Sequence, residues 1–144
     1  MTIKRQDVVD TLIAGLRGTI TSAQEVLDYK PSRLDGQTPV VVLESTGSRF
    51  KPLTASGVQA EHHFALLVLV RRSDPDSGWT EHDAEQMMNS ISEQVKTFIE
   101  TGGGNTITWG ALEMVDGSSV AYFVPEGGIV YLQETYPLVV RVYQ

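Results

Sequence analysis

Residues 62–99 read HHFALLVLVRRSDPDSGWTEHDAEQMMNSISEQVKTFI, and this stretch decides the fold. Its first part is apolar at every position of 64–70, so side chains on both faces of a strand there avoid water. The pattern predicts a strand over 62–72 that is buried on both faces. We expect helices to cover one face, and a loop or another subunit to cover the other.

The second part of the stretch predicts a long amphipathic helix over about 80–100. Thr80 is the predicted N-cap, and Asp83 follows it at the spacing of a capping residue. The glycines 102–104 end the helix. Its apolar positions recur at helical spacing and form one stripe: Ala84, Met87, Met88, Ile91, Val95, Phe98 and Ile99.

The first third of the chain predicts one helix and one strand. Apolar residues at helical spacing predict a helix over roughly 4–17 that ends near Gly18. For residues 21–30 two interpretations stay open, a short second helix and an extended segment. The β-branched run 40–43 then predicts the first strand.

Residues 44–61 show no period through most of their length. We therefore expect an irregular loop from 44 to 60, and a loop of this length in a small domain is often functional. It is interpreted as an arm that contacts a partner. Its candidate contact residues are Arg49, Phe50, Lys51 and Leu53. For its positive charge a second interpretation stays open, namely solvated loop charge.

The last third predicts strands over 106–115, 120–124 and 129–143, separated by turns at 116–117 and 125–128. Pro137 cannot donate a ladder hydrogen bond, which indicates an edge or a bulge there. The fold class is therefore α+β, a single domain over 1–144. We expect a mostly antiparallel sheet packed by the N-terminal helix and the helix at about 80–100, with a second arm at 115–128.

Composition limits the function classes. The chain has 144 residues, no cysteine and a formal net charge of −7. The absence of cysteine excludes disulfides, thiol catalysis and thiolate metal sites. The acidic balance argues against a protein that grips nucleic acid by neutralising phosphates. No run of residues is long and apolar enough for a membrane span, and the expected compartment is a cytoplasm.

The sequence offers weak candidates for catalytic chemistry. His62 and His63 with His82 and Asp83 are the best metal candidate, but adjacent strand residues point to opposite faces. The carboxylates near 74–76 and 81–85 have structural roles in a turn and a helix N-terminus. No phosphate-binding loop and no nucleophile elbow is present. We therefore expect no catalytic residue, no metal and no cofactor.

Further contact candidates lie outside the first arm. Arg71 and Arg72 concentrate positive charge at the end of the second strand, either for an acidic partner or phosphate backbone or as solvated loop charge. Tyr122 and Phe123 lie between two turns. For these two residues a core position and a hairpin tip that inserts into a neighbour both stay open.

The order of these pieces resembles a known group. The N-terminal helix, the stretch QTPVVVLE at 37–44, the arm, the strand and helix of 62–99 and the β-rich end together are similar in layout to tail terminator and tail-completion proteins of long-tailed bacteriophages. The resemblance covers nearly the whole chain. That group has no signature motif, so no residue role is transferred by alignment.

The resemblance implies a structural virion protein and not an enzyme. It implies a homo-oligomeric ring, a hexamer, at the head-proximal end of the tail, assembled in the bacterial host cytoplasm. The ring ends tail-tube growth and joins tail to head; its partners are the tail-tube protein and a neck or connector protein. DNA passes through the bore without specific binding, which suits the acidic chain. Ring contacts would account for the doubly apolar strand and the arm.

Two alternatives remain. One is another phage tail or connector component, such as a tube, baseplate or stopper protein. The other is a small ligand-binding domain or enzyme that uses the cleft between the helix at 80–100 and the sheet.

Overall fold

The computed structural model describes residues 3–54, 57–104 and 111–143, and for 52–54, 57, 58, 104 and 143 it describes the backbone alone. Within these residues two α-helices pack on one sheet of six strands, which confirms the α+β class. No helix in the described ranges has the length and apolar character to cross a bilayer. The elements in chain order are α1 (Arg5–Thr19), β1 (Glu25–Leu27), β2 (Val40–Thr54), β3 (Gly57–Arg71), α2 (Glu81–Glu100), β4 (Ala111–Met114), β5 (Ser119–Phe123) and β6 (Tyr131–Tyr143).

Both predicted helices are present. In α2 the Thr80 hydroxyl accepts a hydrogen bond from the backbone N–H of Asp83, whose carboxylate accepts one from the backbone N–H of Thr80. This reciprocal cap satisfies donors that a helix start leaves unpaired, and the hydrogen bonds to Thr80 lower the pKa of Asp83. A 3-10 turn at Gly102–Gly104 follows the helix. Gly15 of α1 approaches that turn so closely that an added Cβ would lie 2.5 Å from the Gly103 carbonyl oxygen.

The sheet is mostly antiparallel, with the strand order β1-β2-β3-β6-β4. A parallel pair joins β1 to the start of β2, and β5 also pairs with β6. Since β3 occupies one edge of β6, β4 and β5 share the other edge at different heights. Pro137 lies where that edge changes from β4 to β5, and its carbonyl accepts from Val115. Its missing N–H therefore faces a gap between two partners, although β6 itself is an interior strand.

The main core lies between the helices and one face of the sheet. Large side chains of α1 and α2 pack on the apolar side chains of the three long strands. Burying each of them contributes about 1.5–3 kcal/mol, so this layer is the main stabilising element. Its fully buried members include Leu12, Leu16, Phe64, Leu66, Ile91, Phe98 and Leu138.

The opposite face of the sheet has a second, smaller core. Leu67, Leu69 and Tyr131 pack there against Leu34, which belongs to the connection between β1 and β2. The Tyr131 hydroxyl also donates to the Gln37 carbonyl at 2.9 Å. The interpretation that ring contacts account for the doubly apolar strand is therefore wrong, because the chain covers both faces itself. The sequence predicted that a loop or another subunit would cover this face of β3, and in the structure it is the loop between β1 and β2.

Three expectations about local structure are corrected or decided. The irregular loop predicted over 44–60 is wrong, because β2 runs to Thr54 and β3 begins at Gly57, so the arm is a long hairpin. Between the two interpretations of residues 21–30, the extended one is right for β1. Of the strand predicted over 106–115, Ala111–Met114 is confirmed, while 105–110 lie outside the described residues.

Candidate interaction surface

The hairpin of β2 and β3 carries most of the first predicted contact residues. Arg49, Phe50 and Lys51 are all exposed, and Phe50 keeps 66% of its surface accessible. Strand alternation places Phe50 on the helix face and the two cations on the opposite face. Leu53 lies in β2, but its side chain falls outside the described residues. Three of the candidates are therefore exposed, and their contact with a partner stays a prediction.

A row of alternating charges crosses the sheet on the face opposite the helices. Arg49 on β2 lies opposite Glu61 on β3, and Glu61 lies opposite Arg141 on β6. Arg141 donates to Glu61 at 3.0 Å and also pairs with Glu113 on β4. The hydrogen bond from Arg141, with smaller contributions from Arg49 and His63, lowers the pKa of Glu61. The signs read plus, minus, plus, minus from β2 to β4.

A buried polar chain lies on the helix face of the same hairpin. His62 is only 3% exposed, and its Nδ1 lies 2.8 Å from the Ser48 hydroxyl, which accepts from Arg5 of α1 at 3.2 Å. The ring of Phe50 packs edge-on against His62. Burial, together with the nearby charges of Arg5 and His63, lowers the pKa of His62. The neutral imidazole is therefore the form that this contact favours.

The second arm, 115–128, brings exposed apolar side chains to the β4 and β5 edge. Tyr122 is 64% exposed, whereas Phe123 is half-buried against the second core. The alternatives for these two residues thus divide between them, one surface and one packed. Other exposed apolar residues of this edge are Met114, Val115, Val120 and Val124.

Arg71 and Arg72 form local contacts at the end of β3. Arg71 pairs with Asp74 at 3.5 Å, and Arg72 pairs with Glu81 at 2.8 Å. Arg72 also stacks over the Tyr122 ring, 4.9 Å from its centroid. The structure therefore brings Arg72 and Tyr122 together, although they lie 50 positions apart in the sequence.

The two groups of predicted contact residues do not form one site. Arg49 lies level with Glu61, and Phe123 lies level with Arg71 through β6. Ten residues of β3 separate these levels, or roughly 33 Å at the rise of a strand. The expected arms are therefore two surfaces at opposite ends of one sheet.

Sequence reasoning missed the charged row and the polar chain beneath Phe50. Glu61, Arg141 and Glu113 meet only through strand register, and neither their spacing nor their local pattern indicates it. Strand alternation gave a hint, because Glu61 and His63 lie at odd positions and therefore on one face, whereas His62 lies on the other.

The candidates for metal or acid–base chemistry are dispersed in the structure. His62 and His63 lie on opposite faces of β3, and His82 is exposed on α2. Within the described ranges, no three metal-ligating side chains of His, Asp or Glu converge. Asp74 caps its own turn by accepting from the backbone N–H of Asp76 at 3.2 Å.

The cleft between the long helix and the sheet is an open groove of about 310 Å³. Its walls come from α2 and from the strands β4 and β6, with Ser118 at one side. Burial raises the pKa of Tyr136, which lines the groove and donates to Glu134 at 2.8 Å. The remaining lining residues are Ser92, Val95, Lys96, Ile99, Glu100 and Met114.

Comparison with known proteins identifies the fold. The sequence matches no family model and no curated protein. Among solved structures, a chain from the "Virion of native gene transfer agent (GTA) particle" matches with a TM-score of 0.53 at 10% identity. The match covers 95% of this chain and 95% of that chain. At this identity the likeness to that virion chain shows a shared fold alone.

Proposed function

We propose that this protein is a structural component of a phage-type virion. In this proposal it forms a hexameric ring at the head-proximal end of the tail, ends tail-tube growth and joins the tail to the neck. It catalyses no reaction. The observation that carries the proposal is the fold shared with a gene transfer agent virion chain over 95% of both chains.

The surface of the chain supports an assembly role. In the described part of the chain the sheet ends in β1 and β2 on one side and in the short strands β4 and β5 on the other, and exposed apolar side chains concentrate on the second side, over 114–124. Open edges of this kind pair readily with another chain unless they are protected. A protein whose function is to contact neighbours has a use for such edges.

The charge of the chain supports a bore through which DNA passes. A net charge of −7 disfavours binding that depends on phosphate neutralisation. DNA would then move through the ring with little electrostatic retention. The tail-tube and neck proteins are the proposed partners at the two sides of the ring.

Purified chain mixed with isolated tail tubes tests the proposal. We expect mass measurement to give a closed oligomer, and negative-stain images of labelled protein to place it at the head-proximal tip. Tubes assembled in its presence should be shorter on average than tubes assembled without it. A chain that leaves tube growth unaffected and binds no tube would contradict the tail-terminator role.

The position of the label also distinguishes the other virion roles. Label along the tube would indicate a tube protein, and label at the distal tip a baseplate protein. A rise in melting temperature on adding one metabolite from a screen would instead support a ligand-binding domain.

A further inference from the structure

We propose that copies of this chain join head to tail, with the acidic β4 edge of one copy against the basic β2 edge of the next. This inference rests on the proposed ring and names the surface that closes it. It depends on the two outer edges of the sheet, on their heights and on their charges.

Both edges are open in the part of the chain that the structure describes. On β2 the short strand β1 covers only Val40–Val42, so no other strand of the described residues lies beside that outer edge. On β4 the described residues pair with β6 alone. A strand edge without a partner offers backbone donors and acceptors to a second chain.

The two edges lie at the same height on the sheet. Through β3 and β6, Arg49 is level with Ala111, and Gly47 is level with Glu113. The strands β2 and β4 also run in opposite directions, since β2 is antiparallel to β3 and both β3 and β4 are antiparallel to β6. A neighbouring copy placed side by side would therefore continue the sheet with another antiparallel pair.

The charges at the two edges are complementary. The row on the face opposite the helices ends in Arg49, with Lys51 beside it, on β2 and in Glu113 on β4. The next copy continues the alternation, because its Arg49 comes diagonally opposite Glu113, a separation of about 7–8 Å that long side chains reach. Gly47, directly opposite Glu113, leaves space for this approach.

Each of the two edges also has one exposed apolar side chain on the helix face. Phe50 is 66% exposed on β2 and Met114 is 40% exposed on β4. The bulge between Ser45 and Gly47 and the missing N–H of Pro52 limit backbone pairing to a short stretch of β2. Side-chain charge therefore carries much of the specificity of this contact, and a second copy of the chain supplies both signs.

Such a contact is heterologous, since different surfaces of two identical chains meet. A heterologous contact gives a ring when its rotation closes and a filament when it does not. The contact thus accounts for a ring in which no neighbouring copy needs to cover β3, because each chain covers both faces of its own β3.

Charge reversal tests the contact. Arg49→Glu and Glu113→Arg each place like charges across the interface, so we expect each variant alone to self-associate with a dissociation constant at least about tenfold higher than the unchanged chain. Mixed in equal amounts, the two variants should assemble, because each supplies the edge that the other needs. Sedimentation velocity and native mass measurement follow both steps.

Two controls separate the interface from general effects. Glu85→Arg makes the same change of charge as Glu113→Arg, but at an exposed position of α2, and this variant should assemble as the unchanged chain does. Assembly of the mixture also demonstrates that both variants are folded, which matters because Glu113 contacts Arg141 in its own chain.

The outcomes are distinct from those of the proposed function. Restored assembly of the mixture supports the contact wherever the protein lies in a virion. Variants that assemble alone as well as the unchanged chain, a mixture that stays dissociated, or an unchanged chain that stays monomeric at high concentration would each overturn the contact. Labelled virions test the position along the tail independently.

Discussion

The two ends of the central strand β3 differ in what covers the face opposite the helices. At the covered end, residues 65–69 of β3, that face carries Ala65, Leu67 and Leu69, which pack under the connection that carries Leu34. At the hairpin end, residues 57–63 of β3 with their neighbours, the same face carries Glu61 and His63. One strand face thus changes from core to charged surface where its cover ends.

This difference shows which part of the sheet supports the fold and which part is available for contact. At the covered end, truncation of a buried side chain should lower the free energy of unfolding, because both faces of β3 are packed there. The hairpin end tolerates change on its outer face, because charged side chains there remain near water.

Truncation of the second core should have the largest effect. Leu69→Ala removes a side chain that is 0% exposed, so we expect a loss of about 2–5 kcal/mol in the free energy of unfolding. Urea denaturation measures it. The control at the hairpin end, Lys51→Ala, should stay within about 0.5 kcal/mol. Equal losses for the two variants would remove the distinction between the ends.

The hydrogen bond of Tyr131 should contribute less. Tyr131→Phe keeps the ring and removes the hydroxyl that donates to Gln37, so we expect a loss of about 0.5–1.5 kcal/mol. Tyr29→Phe is the control, since Tyr29 is exposed. Equal melting temperatures for the two variants would show that the hydrogen bond from Tyr131 to Gln37 does not stabilise the second core.

Acidification should weaken the hairpin end first. The pKa of His62 lies below its usual value of 6.5 in the folded chain, chiefly through burial and also through Arg5 and His63. Below pH 6.5 the unfolded chain therefore binds a proton before the folded chain does, and stability falls as the pH falls toward the folded pKa. Well above pH 6.5 the imidazole is neutral in the folded and in the unfolded chain, so His62 does not change the stability there.

Hydrogen exchange of the amides of β2 and β3 between pH 7 and pH 5 measures this effect. His62→Gln should flatten the pH dependence at the hairpin end, and His82→Gln, at an exposed position of α2, should leave it unchanged. A pH dependence that survives His62→Gln would assign the effect to another group.

The smallest effect on folding should come from Phe50. Its ring is 66% exposed, so Phe50→Ala should change the free energy of unfolding by no more than about 0.5 kcal/mol. The same variant should weaken self-association if the β2 edge contacts a neighbour. Calorimetry and sedimentation of one sample separate the two effects. A large loss of folding stability would place Phe50 in the core of the single chain.

The predictability of the elements depended on whether their pattern is local. The helix α2 and the strand over 64–70 follow from periodicity and from the cap at Thr80. The hairpin over 44–61 was missed because Gly47, Pro52 and several serines and threonines obscure the alternation, and a bulge shifts its phase. Cross-strand pairing stabilises this strand where local preference does not.

The contact residues were predictable in part. Exposed charge at Arg49 and Lys51 followed from the sequence, as did the separation of His62 and His63 onto two faces. Contact of these residues with a partner remains a prediction. Their neighbours did not follow, since Arg141 and Glu61 are 80 positions apart in the chain.

The sequence by itself determined the α+β class, the two helices, the doubly buried strand and the acidic, cysteine-free character of the protein, because each depends on composition or on a short period. Only the tertiary structure decided that the chain's own loop covers the second face of β3, that the arm is a hairpin, and that charges from four strands meet in one row. These features depend on register and on contacts between distant segments, which a local pattern does not encode.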